Sequence, residues 1–293
     1  MRKPAGDPYI DKVNPDETLR LVSAILLAHF PSQGAEFISA VFHQVQRAFA
    51  GTYPGYQRCD TAYHDLAHTC QAAVATVRIF DGHLKSGRTP VLTARDFELG
   101  VVGILLHDIG FLKETGDDSG TGAKYTLVHV DRGVKFAEKF LPPFGVDPDE
   151  IRLIRSAIHC TATNGGVDER AFRNDRERFI GCALGTGDIL GTMAAPDYPE
   201  RLPALYQEFA EAAASGYIRE EEAGYYTSAE DLLRKTRGFY QGYVRRMLDE
   251  EWRQVYRLLE YNFPDGANHY VQAIEANLDR IDRILADAPR ERE

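Results

Sequence analysis

Apolar positions along this chain recur at three- and four-residue spacing, while the two-residue alternation of half-buried strands is nearly absent. In "GVDPDEIRLIRSAIHC", Ile151, Ile154 and Ile158 fall on one helical face. Asp147 stands before that face as a cap, with Pro148 at the first helical position and Glu150 at the third. The stretch "NPDE" uses the same grammar through Asn14, Pro15 and Glu17. Such signals predict helices over about 14–29, 34–49, 63–80, 94–109 and 126–141, and one opening at Pro148. Further helices are predicted over about 176–194, 199–214, 229–260 (interrupted or continuous) and 266–286. "FPSQGA" and "DGHLKSGRTP" read as loops, and Gly110 as the stop of the fourth helix. No repeat or long linker divides the chain. The expected architecture is one all-α domain over 1–293, with a core at about 60–200, N-terminal helices in 1–59 and a C-terminal helical extension over 201–293.

A chain of 293 residues buries roughly three quarters of the surface it exposes when unfolded, so a core of this size can hold polar groups. The formal charge of −10 argues against broad nucleic-acid binding and against an anionic membrane surface. An anionic substrate then needs local positive charge, which a metal ion supplies. Cys59, Cys70, Cys160 and Cys182 form no C-x-x-C pair, and read as reduced, buried thiols of a cytoplasmic protein. Cys160 in particular reads as a small buried hydrophobe. The opening "MRKPAGDPYIDKV" has no apolar signal region, and "VVGILL" is too short to span a bilayer. A cytoplasmic location is the expectation.

The chemistry-bearing residues sit in or beside apolar runs, where an unpaired polar group is costly. In "TAYHDLAHTC" His64 and His68 lie four positions apart, which on a helix puts them on one face. Such a pair binds one metal together, or one member binds while the other moves protons. "ILLHDIG" sets His107 beside Asp108 at the end of an apolar run. His129 follows in "TLVHVDRG", His159 in "SAIHC" and Asp188 in "GTGDIL". Taken singly, His129 and His159 read as core histidines and Asp188 as a helix cap. As an ordered set of imidazoles and carboxylates they suit a site for iron, manganese, zinc or magnesium.

That order, H…HD…H…H…D, resembles the HD superfamily of metal-dependent phosphohydrolases. "YHDLAHT" is similar to the Y-H-N-x-x-H segment of cyclic-nucleotide phosphodiesterases, with Asp65 where the asparagine stands. The likeness covers about residues 60–200. It implies an all-α HD helical bundle binding two divalent cations. By the resemblance, His68, His107, Asp108 and Asp188 hold the first metal, and Asp108 bridges to a second that His129 and His159 complete. His64 matches the histidine that protonates the leaving oxygen, which makes it and Asp108 the catalytic pair. The implied activity is a phosphodiesterase-like hydrolysis of a nucleotide or another small phosphate ester. The same ligand set also serves mixed-valent di-iron oxygenases of this fold. Neither an H-D-x-x-H-P-G run after His107 nor a "GYP" element is present; "HCTATNGG" follows His159.

The loop "KETGDDSGTGAKYT" reads either as a lid whose backbone N–H groups and Lys124 meet a phosphate, or as a surface loop. Lys113 and Lys124 are the candidate substrate-binding residues. The aromatic tail, "GFYQGYVRRM" and "EEWRQVYRLLEYNF", suits helix packing, a homodimer interface or base stacking, with Arg237 and His269 the tail residues of interest.

Overall fold

Asn14 accepts a hydrogen bond from the Glu17 amide, and Pro15 opens helix α1 (Pro15–His29), as the cap signals require. The computed structural model describes residues 13–162, 168–215 and 226–287. α1 is followed by α2 (Glu36–Phe49), α3 (Leu66–Ser86), α4 (Ala94–Leu106), α5 (His129–Phe140) and α6 (Pro148–His159). The chain continues through α7 (Asp175–Met193), α8 (Tyr198–Ala214), α9 (Ala229–Phe239) and α10 (His269–Asp287). The fold is all-α. Among the described residues there is no strand, only an isolated bridge between Tyr56 and Glu114.

Two boundaries differ from the sequence expectation in ways that matter. α3 starts at Leu66, not near 63, because Asp65 caps it by accepting from the His68 amide at 2.8 Å. It also runs past Asp81–Gly82 to Ser86 and stops at Gly87, whose φ of 63° is left-handed. Asp81 holds that extra turn in place, bonded to His29 at 2.7 Å and to Lys85 at 2.7 Å. The long helix expected over 229–260 is interrupted. After α9 the backbone widens into π-type turns over Tyr240–Val244 and Met247–Glu251, then reverses at Arg253 and Gln254. A 3₁₀ segment, Val255–Asn262, carries the chain back along α3.

α3 and α4 are apolar almost all round and are buried accordingly. α7 packs along α3 with almost no side chain between the backbones. A Cβ on Gly187 would come within 2.0 Å of Thr76 Oγ1, and one on Gly191 within 2.5 Å of the Gln71 carbonyl. This seam carries His68 on one side and Asp188 on the other. Among the described residues, no helix is long and apolar enough to cross a membrane.

Candidate metal centre and the cavity above it

α4 ends at Leu106, so His107 forms its C-cap and Asp108 lies beyond it, where a 3₁₀ turn (Ile109–Phe111) begins. That bend swings both side chains toward α3. Arg132 fixes the turn by donating to the Gly110 and Leu112 carbonyls, each at 2.8 Å. Gly110 lets the start of α5 approach: a Cβ there would stand 1.9 Å from the His129 carbonyl.

Four side-chain atoms from three parts of the chain converge. His68 Nε2 lies 2.9 Å from Asp108 Oδ2 and 3.2 Å from Asp188 Oδ1. His107 Nε2 lies 3.2 and 3.3 Å from the same two oxygens, and 3.3 Å from His68 Nε2. The other Asp108 oxygen, Oδ1, faces His129 Nε2 at 3.6 Å. His68, His107 and Asp108 are buried, and Asp188 sits mid-way along α7 instead of capping a helix.

The outer nitrogens define the chemistry of the inner ones. Thr192 Oγ1 donates to the Asp188 carbonyl at 2.9 Å and so accepts from His68 Nδ1, also at 2.9 Å. His107 Nδ1 donates to the Ile104 carbonyl at 2.7 Å, and His129 Nδ1 to the Thr126 carbonyl. With Nδ1–H committed outward, each ring turns its Nε2 lone pair toward carboxylate oxygens. Lone pairs on nitrogen and oxygen at such distances repel unless a positive species lies among them. Protons serve that need in the bare protein. Burial alone would push His68 down, but Asp108 and Asp188 raise it to about 9. His107 is likewise raised well above the ordinary histidine value against burial, and Asp108 is held well below the carboxylate range. Burial lowers His129, with Asp108 opposing. Asp108 Oδ2 is buried with no hydrogen-bond partner of acceptable geometry. An orphaned oxygen among imidazole lone pairs fits a divalent cation, and His68, His107 and Asp188 alone already place their ligand atoms within 4.8 Å of one another.

Not every expected residue joins this cluster. His159 ends α6 and lines the same cavity, but its Nε2 pairs with Asp131 Oδ1 at 4.0 Å and its ring is half exposed. The residues 163–167 that follow, part of "HCTATNGG", lie outside the described residues. His64 is close to His68, with ring centroids 5.4 Å apart, although not by sharing a helix face. It precedes α3 and is placed by α8 instead. Glu208 accepts from His64 Nδ1 at 2.6 Å and from the Tyr63 amide at 2.6 Å, while Arg201 pairs with Asp65 at 3.1 Å. Burial opposes ionisation of Glu208, yet the bonds from His64 and the two amides hold it below the usual carboxylate range. Phe111 is stacked between His64 at 4.4 Å and His129 at 4.3 Å.

Lys113 and Lys124 do not face the cavity. Lys113 donates to the Gly120 carbonyl at 2.7 Å and pairs with Asp60 at 2.8 Å. Lys124 is bonded to Asp117 and to the Ser119 carbonyl at 2.7 Å. Lys124 ties the 113–126 loop to itself, Lys113 ties it both to itself and to Asp60, and Glu211 anchors it through Thr121 Oγ1 at 2.6 Å. Arg237 is likewise committed elsewhere, to Asp279 and Asp282, and His269 stacks on Phe263. Sequence reasoning missed Glu208 and Glu211. Their only signal was a pair of acids three apart in "YQEFAEAAA", which also describes an ordinary solvated face.

The cluster forms the floor of a cavity of about 630 Å³. α8 and α9 supply much of the wall, including Leu205, Tyr206, Phe209 and Phe239. A protein-family model described as Npun_R2479-like matches residues 114–261, half of the chain. The chain belongs to the Npun_R2479-like family. The family segment holds His129, His159, Asp188, Glu208 and the α8–α9 wall, and begins after His64, His68, His107 and Asp108. No match was found among curated proteins.

Proposed function

We propose that the protein is a metal-dependent phosphohydrolase of the HD type, phosphodiesterase-like in its chemistry, acting on a small phosphate ester. The supporting observation is the convergence of His68, His107, Asp108 and Asp188 on one point, with Asp108 turning its second oxygen to His129. His68, His107, Asp108 and Asp188 would hold one divalent cation, and Asp108 with His129 would hold part of a second. His159, on the cavity lining, is the remaining candidate for that second position.

Cations bound there supply Lewis acidity toward a phosphoryl oxygen and an acidified water. The protein's own groups do the rest. Thr192 and the Ile104 and Thr126 carbonyls fix the tautomers of the three imidazoles, so that each presents a lone pair to the centre. Glu208 orients His64 by its Nδ1 and leaves Nε2 for the cavity that the ring lines. From there an imidazolium donates a proton to a departing alkoxide, a role suited to histidine. Phe111, stacked on the ring, keeps it in that plane.

The deciding experiment is metal analysis of protein purified without added metal, alongside hydrolysis of bis(p-nitrophenyl) phosphate. One to two equivalents of manganese, zinc or iron with metal-dependent turnover are expected. Asp108→Ala should lose metal at both positions, because its two oxygens face the His68–His107 side and His129 respectively. Full occupancy in that variant, or two irons with oxygen uptake and no ester hydrolysis, would overturn the proposal.

A further inference from the structure

We infer that the cavity selects a substrate with a single anionic head and an uncharged, ring-bearing body. The chemistry and the anchoring of the anionic head rest on the metal-dependent phosphohydrolase reading, while the preference for a ring on the body rests on the wall alone.

The cavity has two unlike ends. Its floor carries His64, His68, His129, Asp108 and Asp188, and the lining also includes the His159–Asp131 pair. Its wall is apolar and aromatic. Leu205, Tyr206 and Phe209 come from α8, Phe239 from the end of α9, and Tyr226 stacks on Phe209 at 5.7 Å with the rings 9° apart. Burial raises Tyr198, and Tyr206 donates its hydroxyl to the Thr227 carbonyl at 3.0 Å. Among the described residues that line the cavity there is no lysine or arginine. The two lysines nearest in sequence to the centre are spent on their own loop and on Asp60.

A phosphate at the floor would meet the cations that the histidines and aspartates would hold. A second phosphate or a carboxylate on the body would lie against the wall, desolvated and unpaired, which is strongly disfavoured. Asp131 on the lining would repel it further. A ring on the body, by contrast, gains burial and edge or face contacts with Phe209, Tyr226 and Phe239. At about 630 Å³ the cavity falls within the range of sites that enclose whole small molecules, so the body is held along with the head. The geometry therefore disfavours polyphosphates and cyclic dinucleotides and favours monoanionic esters of aromatic or apolar alcohols.

The test uses the full chain loaded with manganese and a set of p-nitrophenyl phosphodiesters that share one leaving group. The other ester group is methyl, phenyl or 4-carboxyphenyl. kcat/KM for the phenyl ester should exceed that for the methyl ester by ~10-fold or more, the scale of burying one ring. The carboxyphenyl ester should fall ~10-fold or more below the phenyl ester. Phe209→Ala should shrink the first ratio, and Leu205→Lys the second. Calorimetry with phenylphosphonate and methylphosphonate on the same metal-loaded protein makes the comparison without turnover, and should favour the phenyl compound by ~10-fold or more. If no ester turns over but the phosphonate preference holds, the hydrolase reading fails and the cavity assignment stands. Turnover or binding indifferent to the body, a preference for the carboxylate, or no phosphonate binding at all would overturn the inference.

Discussion

At the scale of single residues, the centre is defined by which nitrogen of each imidazole is already engaged. His68 has a folded-state value of about 9, above its unfolded value, because protonation relieves the crowding of its Nε2 against Asp108 and Asp188. Its contribution to the metal-free fold is therefore complete below about pH 6.5 and is lost as pH rises through about 9. The size is up to about 3 kcal/mol. A divalent cation bound there would compete with those protons, so the stabilisation it gives would grow with pH. Thermal denaturation between pH 6 and 9 should show Tm falling in chelator and the gain on adding metal widening with pH. A gain that shrinks with pH would contradict the arrangement. His64 belongs to a separate circuit with Glu208. His64→Ala should keep its metal yet lose roughly 10²–10⁴-fold in turnover of an alkyl phosphodiester. The loss should be much smaller for a nitrophenyl ester, whose leaving group needs no proton. Equal losses on both esters, or loss of metal, would remove His64 from the proton-donor role.

At the scale of helices, the site depends on how closely α3 and α7 approach. Gly187→Val would drive a side chain into Thr76, whose Oγ1 already lies 2.0 Å from where a Cβ would stand. It should cost about 1–3 kcal/mol by overpacking and weaken metal binding by separating His68 from Asp188. Gly238→Ala, with nothing within 4 Å of the added carbon, should be neutral or stabilising by about 0.5–1 kcal/mol. Urea titrations with and without metal separate the two effects. The helices themselves were largely legible. The Asp147–Pro148–Glu150 grammar describes the start of α6 as found, with the capping box closed in both directions. The convergence of His68, His107, Asp108 and Asp188 was signalled by their types and order in the chain. Two kinds of information were not. Taken singly, Asp188 could be read as a cap because its flanking glycines suggest a turn, when Gly187 and Gly191 serve a helix seam that only the partner helix reveals. Lys113 and Lys124 looked like phosphate ligands because sequence shows their charge but not the Asp60 and Asp117 carboxylates that claim it.

At the scale of the whole molecule, the early helices and the α6–α7 pair build the floor, and the C-terminal helices build much of the wall. The aromatic tail was ambiguous among packing, an interface and stacking on a ligand, and it divides between roles. Trp252 is buried against Gly185, whereas Phe239 lines the cavity. The centre is also stitched from distant parts of the chain: Thr192 and His68 meet across 124 positions, and His64 and Glu208 across 144. Closing such spans costs chain entropy that no single local element repays. The early half of the chain brings His68, His107, Asp108 and His129 without Asp188, so the proposed first metal position would be complete only after most of the polypeptide has been made. On the proposed function, metallation would then be a late event in the life of each molecule, following assembly of the helices instead of seeding it.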